Sequence, residues 1–149
     1  MVKIRITPPD LFLVLIVFEI ILHFIFPIKN LIIPPYNYLG ILLFIIGILP
    51  NLWIGIYFRK IKTSIDINEK PKKFVTSGLF RLSRNPIYLG MVLALIGLGI
   101  FLGSIGPFLI PILFIILTNS FVIPIEERNL EKQFGKKYLK YKSQVRRWI

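Results

Sequence analysis

IYLGMVLALIGLGIFLGSIGPFLIPILFIILTNSFVIPI, residues 87–125, runs for thirty-nine positions without one charge. At about 1.5 Å per helical residue it covers roughly 58 Å, twice the ~30 Å hydrocarbon thickness of a bilayer, so it reads as two membrane-crossing helices joined by a tight turn. The polar segments at its two ends therefore share one membrane surface. Ahead of it lies a basic loop ending in GLFRLSRNP, residues 78–86, and behind it lies EERNLEKQFGKKYLKY, residues 126–141. Arginines, an amide, tyrosines and a glutamate pair thus converge at a membrane boundary on something small and polar.

The rest of the chain agrees with this reading. Of its 149 residues 55% are hydrophobic and its mean hydropathy is +0.73, too apolar for a soluble domain of this size. Two further apolar runs precede the quoted stretch, giving four expected spans at about 11–28, 38–58, 87–101 and 107–125. The expected fold is an all-α integral membrane protein forming one membrane domain over residues 1–149. It has a loop over 59–86 and an amphipathic helical tail over 126–149. The first run starts after Pro8 and Pro9 and has no small-residue cleavage site, so it reads as a span rather than a removable signal.

The net charge of +12 is not spread evenly. Eight of the nineteen basic residues fall in the 59–86 gap and eight in the tail, and only Lys29 lies between the first two spans. That is the positive-inside pattern, and it puts both termini and the long loop in the cytoplasm of a multi-pass protein. Anionic lipid headgroups rather than nucleic acid are the expected partners of this charge. The Ile- and Lys-rich composition suggests a prokaryotic plasma membrane. With no cysteine and one histidine the chain offers no thiolate chemistry and no metal centre, and it contains no phosphate loop, serine elbow or HExxH.

Local patterns fill in the helices. Gly90, Ala94, Gly97, Gly99 and Gly103 give the third span small-residue spacings for close helix approach, with Gly99 and Gly103 forming a GxxxG. Leu130, Phe134, Tyr138 and Tyr141 recur every three or four residues in the tail, an amphipathic pattern expected to break near Gly135.

Several residues can carry chemistry. Glu126 and Glu127 abut the last span, where two adjacent carboxylates need opposing cations, and Arg81 and Arg84 are the candidates on the same face. A structural ion-pair cluster accounts for that pattern as well as a ligand site does. Such a set also suits a free amino-acid moiety, which carries both an ammonium and a carboxylate. Asn85 and Pro86 fit the N-cap and first turn of the third span, and Tyr88 brings a hydroxyl one turn inside. Glu19 and His23, four apart on one face of the first span, form an intramembrane ionisable pair. It suits a proton path, the polar lining of a substrate cavity or a mutually satisfied structural pair. Asn51, Thr118, Asn119 and Ser120 are expected to hydrogen-bond between helices.

VTSGLFRLSRNPIYLG (75–90), followed one helical hairpin later by EERNLEKQFGKKYLKYKSQVRRW (126–148), resembles the isoprenylcysteine carboxyl methyltransferase family and its phospholipid methyltransferase relatives. The resemblance covers the second half of the chain in detail and the first half as hydrophobic spans. It implies a membrane methyltransferase that holds S-adenosylmethionine between the last two spans and the tail and acts on a lipophilic acceptor. That acceptor is an isoprenylcysteine-type carboxylate or a phospholipid-type amine. It implies cofactor contacts at Val75, Gly78, Arg84, Asn85, Tyr88, Glu126 and Glu127, and a cofactor-edge or substrate role for Arg147. Glu19 and His23 join Arg147 as candidate substrate contacts, and no catalytic side chain is assigned. Asn85 stands where the family often has histidine, and Arg146 where a proline commonly precedes the tail arginine. Two readings from other classes compete: a four-helix proton-coupled transporter using Glu19, and a sterol-reductase-like enzyme using NADPH. A membrane adaptor without small-molecule binding is a third.

Overall fold

The computed structural model describes residues 7–26, 31–63 and 71–149. Residues 1–6, 27–30 and 64–70 lie outside them, and with them the end of the first expected span and Lys29. The described residues are helical wherever they are regular, in keeping with the expected all-α membrane fold.

Helix α1, Pro8–Ile25, begins three residues earlier than the hydropathy alone suggests. Thr7 and Asp10 form a capping box, the Thr7 backbone N–H donating to the Asp10 carboxylate at 3.2 Å, and the two prolines occupy positions where no N–H is needed. Helix α2 spans Leu39–Lys60 after a 3₁₀ turn at Tyr36–Tyr38. Helix α3, Pro86–Leu102, is shorter, and Gly103 ends it in the left-handed conformation, φ +78°, with its carbonyl taking the Leu31 and Ile32 N–H groups. After a 3₁₀ turn at Gly106–Phe108 the chain is helical through α4 (Leu109–Leu117), a π turn (Thr118–Val122) and α5 (Ile123–Phe134). Gly135, φ +52°, breaks the tail where expected, and α6 follows over Lys136–Gln144.

Three stretches, Pro8–Ile25, Tyr36–Lys60 and Gly106–Phe134, are long and apolar enough to cross a bilayer, and Pro86–Leu102 is a shorter apolar helix. That shorter helix is the most buried, because it lies at the centre: α2 packs along one side, while α1 and α4 pack on the other and on each other. Leu13, Phe18, Leu42, Ile45, Ile112 and Ile116 point outward, as lipid-facing residues do.

The α2–α3 seam is built of glycine, but not from the expected GxxxG. A Cβ on Gly40 would collide with the Gly97 carbonyl oxygen, and one on Gly47 would stand 2.5 Å from the Ala94 nitrogen. Gly40 and Gly47 thus face Gly90, Ala94 and Gly97 backbone to backbone, leaving Gly103 as a helix cap and Gly99 facing α1. Close approach of this kind gives dispersion contact where no hydrophobic drive between helices exists.

Candidate active site

The charged end of the bundle is organised around one carboxylate. Glu127, with 8% of its side chain exposed, meets Arg84 Nη2 at 3.0 Å, Arg147 Nη2 at 3.0 Å and Lys142 Nζ at 3.6 Å. Arg147 approaches it side-on, its Nε also donating to Oε1 at 3.3 Å. A buried carboxylate in this number of charge-assisted contacts has its desolvation offset by fixed donors. Of the two expected arginine partners Arg84 takes the role; Arg81 is exposed, and the tail supplies Arg147 and Lys142 instead.

Glu126 turns the other way, into the bundle, and accepts the Tyr88 hydroxyl at 2.9 Å. One carboxylate therefore faces the tail and its neighbour faces the central helix. Arg84 is nearly buried, at 10% side-chain exposure; its Nη1 reaches the Lys142 carbonyl at 3.4 Å, and its Nε is a buried donor without an acceptor among the described residues.

The tail closes the site from outside. Arg84 N–H donates to the Arg146 carbonyl at 3.0 Å, while Ser83 Oγ and Asn85 Nδ2 both donate to the Arg147 carbonyl, at 3.1 and 2.9 Å. Asn85 does stand at the α3 N-cap, with Pro86 behind it, but its side chain makes no cap bond because its amide is committed to the tail. Arg147 Nη1 donates to Asn119 Oδ1 at 3.0 Å, and the Trp148 indole N–H approaches the same oxygen at 3.4 Å.

An aromatic layer joins the tail to the loop ahead of α3. Phe74 stacks on Phe134 at 5.0 Å and meets Tyr138 and Tyr141 edge-on, and the Tyr141 hydroxyl donates to the Phe80 carbonyl at 2.6 Å. Burial pushes the Tyr141 phenol up to about 12, against the opposing pull of Arg84. Tyr138 is pushed well up too, by burial first and by the Glu127 carboxylate second. Both phenols thus keep their protons at physiological pH. Val75 is half-buried beside this layer, and Gly78, at φ +63°, lies against the Trp53 ring, where a Cβ would come within 3.3 Å.

Glu19 and His23 sit apart from this cluster. Glu19 is fully buried, has no partner for either oxygen among the described residues, and points at Gly99, whose absent side chain makes room for it. Gly99 lies eleven residues beyond Tyr88 on α3, about 16 Å along the axis. His23 Nδ1 pairs with Ser104 Oγ at 2.8 Å rather than with Glu19. Asn51 and Thr118 bond carbonyls of their own helices, at Gly47 and Phe114, instead of bridging between helices.

In spatial order the site comprises a basic loop, a central helix opening with Arg-Asn-Pro, a hairpin return and a Glu-Glu pair bound by the tail. This order coincides with a known sequence family, since the phospholipid methyltransferase family model matches residues 36–137. The chain belongs to the phospholipid methyltransferase family. An uncharacterized protein of Haemophilus influenzae is 41% identical to it over 63 residues, covering 42% of this chain and the whole of that protein. No solved structure matches. As a member of that family the protein is a membrane methyltransferase, which sets aside the transporter, reductase and adaptor readings. The family match takes in Val75, Gly78, Arg84, Asn85, Tyr88, Glu126 and Glu127, and stops short of Lys142, Arg147 and Trp148, which the fold brings to the same cluster.

Proposed function

We propose that the methyltransferase uses S-adenosylmethionine, bound at the Glu126, Glu127 and Arg84 cluster, to methylate a lipophilic acceptor that reaches the site from the bilayer. The observation carrying this is the donor and acceptor set. The cofactor's amino-acid end has an ammonium and a carboxylate; the cluster has two carboxylates and a buried guanidinium whose Nε lacks an acceptor among the described residues. Glu126 and Glu127 hold the ammonium, Arg84 the carboxylate, and Val75, Gly78, Asn85 and Tyr88 shape the remainder of the pocket. Arg147 has three of its five N–H groups committed to Glu127 and Asn119, and the others meet the acceptor's polar group. The surrounding basic residues favour the cytoplasmic surface for this end of the bundle, and the cofactor enters from there.

The bound cofactor supplies an electrophilic sulfonium methyl group. Transfer by in-line displacement demands alignment and exclusion of water more than a strong base. The tail over the cluster and the aromatic layer that joins it to the loop serve those ends. Glu19 and His23 belong to the path of the acceptor's lipophilic part, since about 16 Å separates their level from Tyr88.

The test is methyl transfer from labelled cofactor to a total lipid extract in the presence of purified protein. Labelled lipid product supports the reading, and its behaviour in alkali sorts the acceptor: a methyl ester releases volatile methanol, whereas an N-methyl group stays bonded to its nitrogen and is not volatile. Label that never exceeds the level of an Arg84→Ala control would refute it.

A further inference from the structure

The last transmembrane segment contains a register change that the proposed reaction does not by itself require. Twelve residues separate Phe114, fully buried on α4, from Glu126 on α5. At about 100° per residue an unbroken helix would set them roughly 120° apart; the extra residue taken up by the π turn at Thr118–Val122 reduces this to about 20°. The π turn therefore lets one helix bury its apolar face in the membrane and deliver Glu126 to the same side. Asn119 is its second residue.

We infer that Asn119 is a positioning residue of the active site, acting through the tail. Its Oδ1 is the point where Arg147 and Trp148 are both anchored to the membrane domain. Arg147 thereby becomes a bridge, its Nε and Nη2 on Glu127 and its Nη1 on Asn119, with its backbone carbonyl held by Ser83 and Asn85. With the guanidinium held at both edges, the Glu127 carboxylate that it grips is held too. Trp148 packs against the hydrophobic core beside this contact. An asparagine inside an apolar stretch of this length is costly unless its amide is engaged, and the amide carbonyl here is engaged by the tail alone among the described residues.

The chain has two tryptophans, so the indole region of a ¹⁵N spectrum of the full-length protein in micelles holds two side-chain signals. A Trp53→Phe variant assigns them. In Asn119→Ala the Trp148 indole N–H should shift and exchange faster with water while the Trp53 signal stays in place. S-adenosylhomocysteine should then bind about tenfold more weakly, the loss of a hydrogen bond to a charged group. Asn119→Asp keeps an acceptor for Arg147, so it should restore both the indole signal and the affinity; a role confined to helix packing would not follow that order. It also decides the matter if the alanine variant fails to fold. An unmoved Trp148 signal in Asn119→Ala would overturn the inference, as would a released tail with unchanged affinity. The affinity arm rests on the cofactor reading above, and the two failures separate cleanly. Absence of binding by the unsubstituted protein refutes that reading, whereas equal binding by the protein and its Asn119→Ala variant refutes Asn119 alone.

Discussion

Replacing Glu127 by alanine should be the most damaging single change at the charged end of the bundle, and the structure gives its size. Arg84, 10% exposed, loses its carboxylate and keeps only a long contact to the Lys142 carbonyl, while Arg147 loses both bonds on one edge. Breaking a buried pair from one side costs about 3–5 kcal/mol, because the surviving charge is stranded. Lys142, 38% exposed and 3.6 Å away, adds under about 1 kcal/mol. On the scaling for chains of this length the melting temperature should fall by roughly 10 °C. Arg84→Ala should cost less, about 1.5–3 kcal/mol, since Glu127 retains Arg147 and Lys142. The double variant strands no charge from this pair, so it should cost less than the two single changes together, with a coupling of about 1–3 kcal/mol. Thermal melts of the four proteins in one detergent, followed by far-ultraviolet circular dichroism, measure it. Strict additivity would mean that Glu127 and Arg84 do not form the buried pair described here.

Three further outcomes are expected. Gly47→Ala should force α2 and α3 apart, because the new methyl would stand 2.5 Å from the Ala94 nitrogen and 2.6 Å from the Gly90 oxygen; a loss of about 1–3 kcal/mol in a denaturant titration checks it. Tyr141→Phe should cost about 0.5–1.5 kcal/mol by removing the bond to the Phe80 carbonyl. The raised Tyr141 phenol means that the unfolded chain loses its proton first as pH rises, so its contribution to stability is whole below pH 10 and disappears towards pH 12. Melts across that window should show a shallower decline for Tyr141→Phe than for the unsubstituted protein. Asn85→Ala should loosen the tail without unfolding α3, because the lost bond goes to the Arg147 carbonyl rather than to the helix start; faster amide exchange in the C-terminal peptide with an unchanged α3 peptide would show it.

Much of this fold is legible in the sequence because lipid imposes simple rules. An uncharged run of thirty-nine residues has few ways to be satisfied, and the hairpin that it forms fixes Arg84 and Glu127 on one face. The Glu-Glu pair announces its need for cations. Arg84 answers that need as expected, but the other partners, Lys142 and Arg147, lie beyond a glycine break whose direction no periodicity encodes, which is why Arg81 looks equally suitable from spacing. The glycine seam is legible in part: Gly90, Ala94 and Gly97 do meet α2, whereas Gly99 and Gly103, which have the familiar spacing, lie outside the seam, and the partners Gly40 and Gly47 become visible only when two helices are compared. Asn119 is legible as a hydrogen-bonding polar group within a span, but its partners are not: it lies in a π turn and bonds the tail residues Arg147 and Trp148 rather than another span.

The decisive quantity for this account is cofactor binding. Calorimetric titration of the detergent-purified protein with S-adenosylhomocysteine needs no knowledge of the acceptor, and Glu126→Gln is a suitable control because it leaves the Glu127 ion-pair hub in place. Micromolar binding to the unsubstituted protein and weaker binding to the Glu126→Gln variant are the expected results. Folded protein that releases no heat of binding at any accessible concentration, or equal affinity in both proteins, would contradict the placement of the cofactor on the glutamate pair.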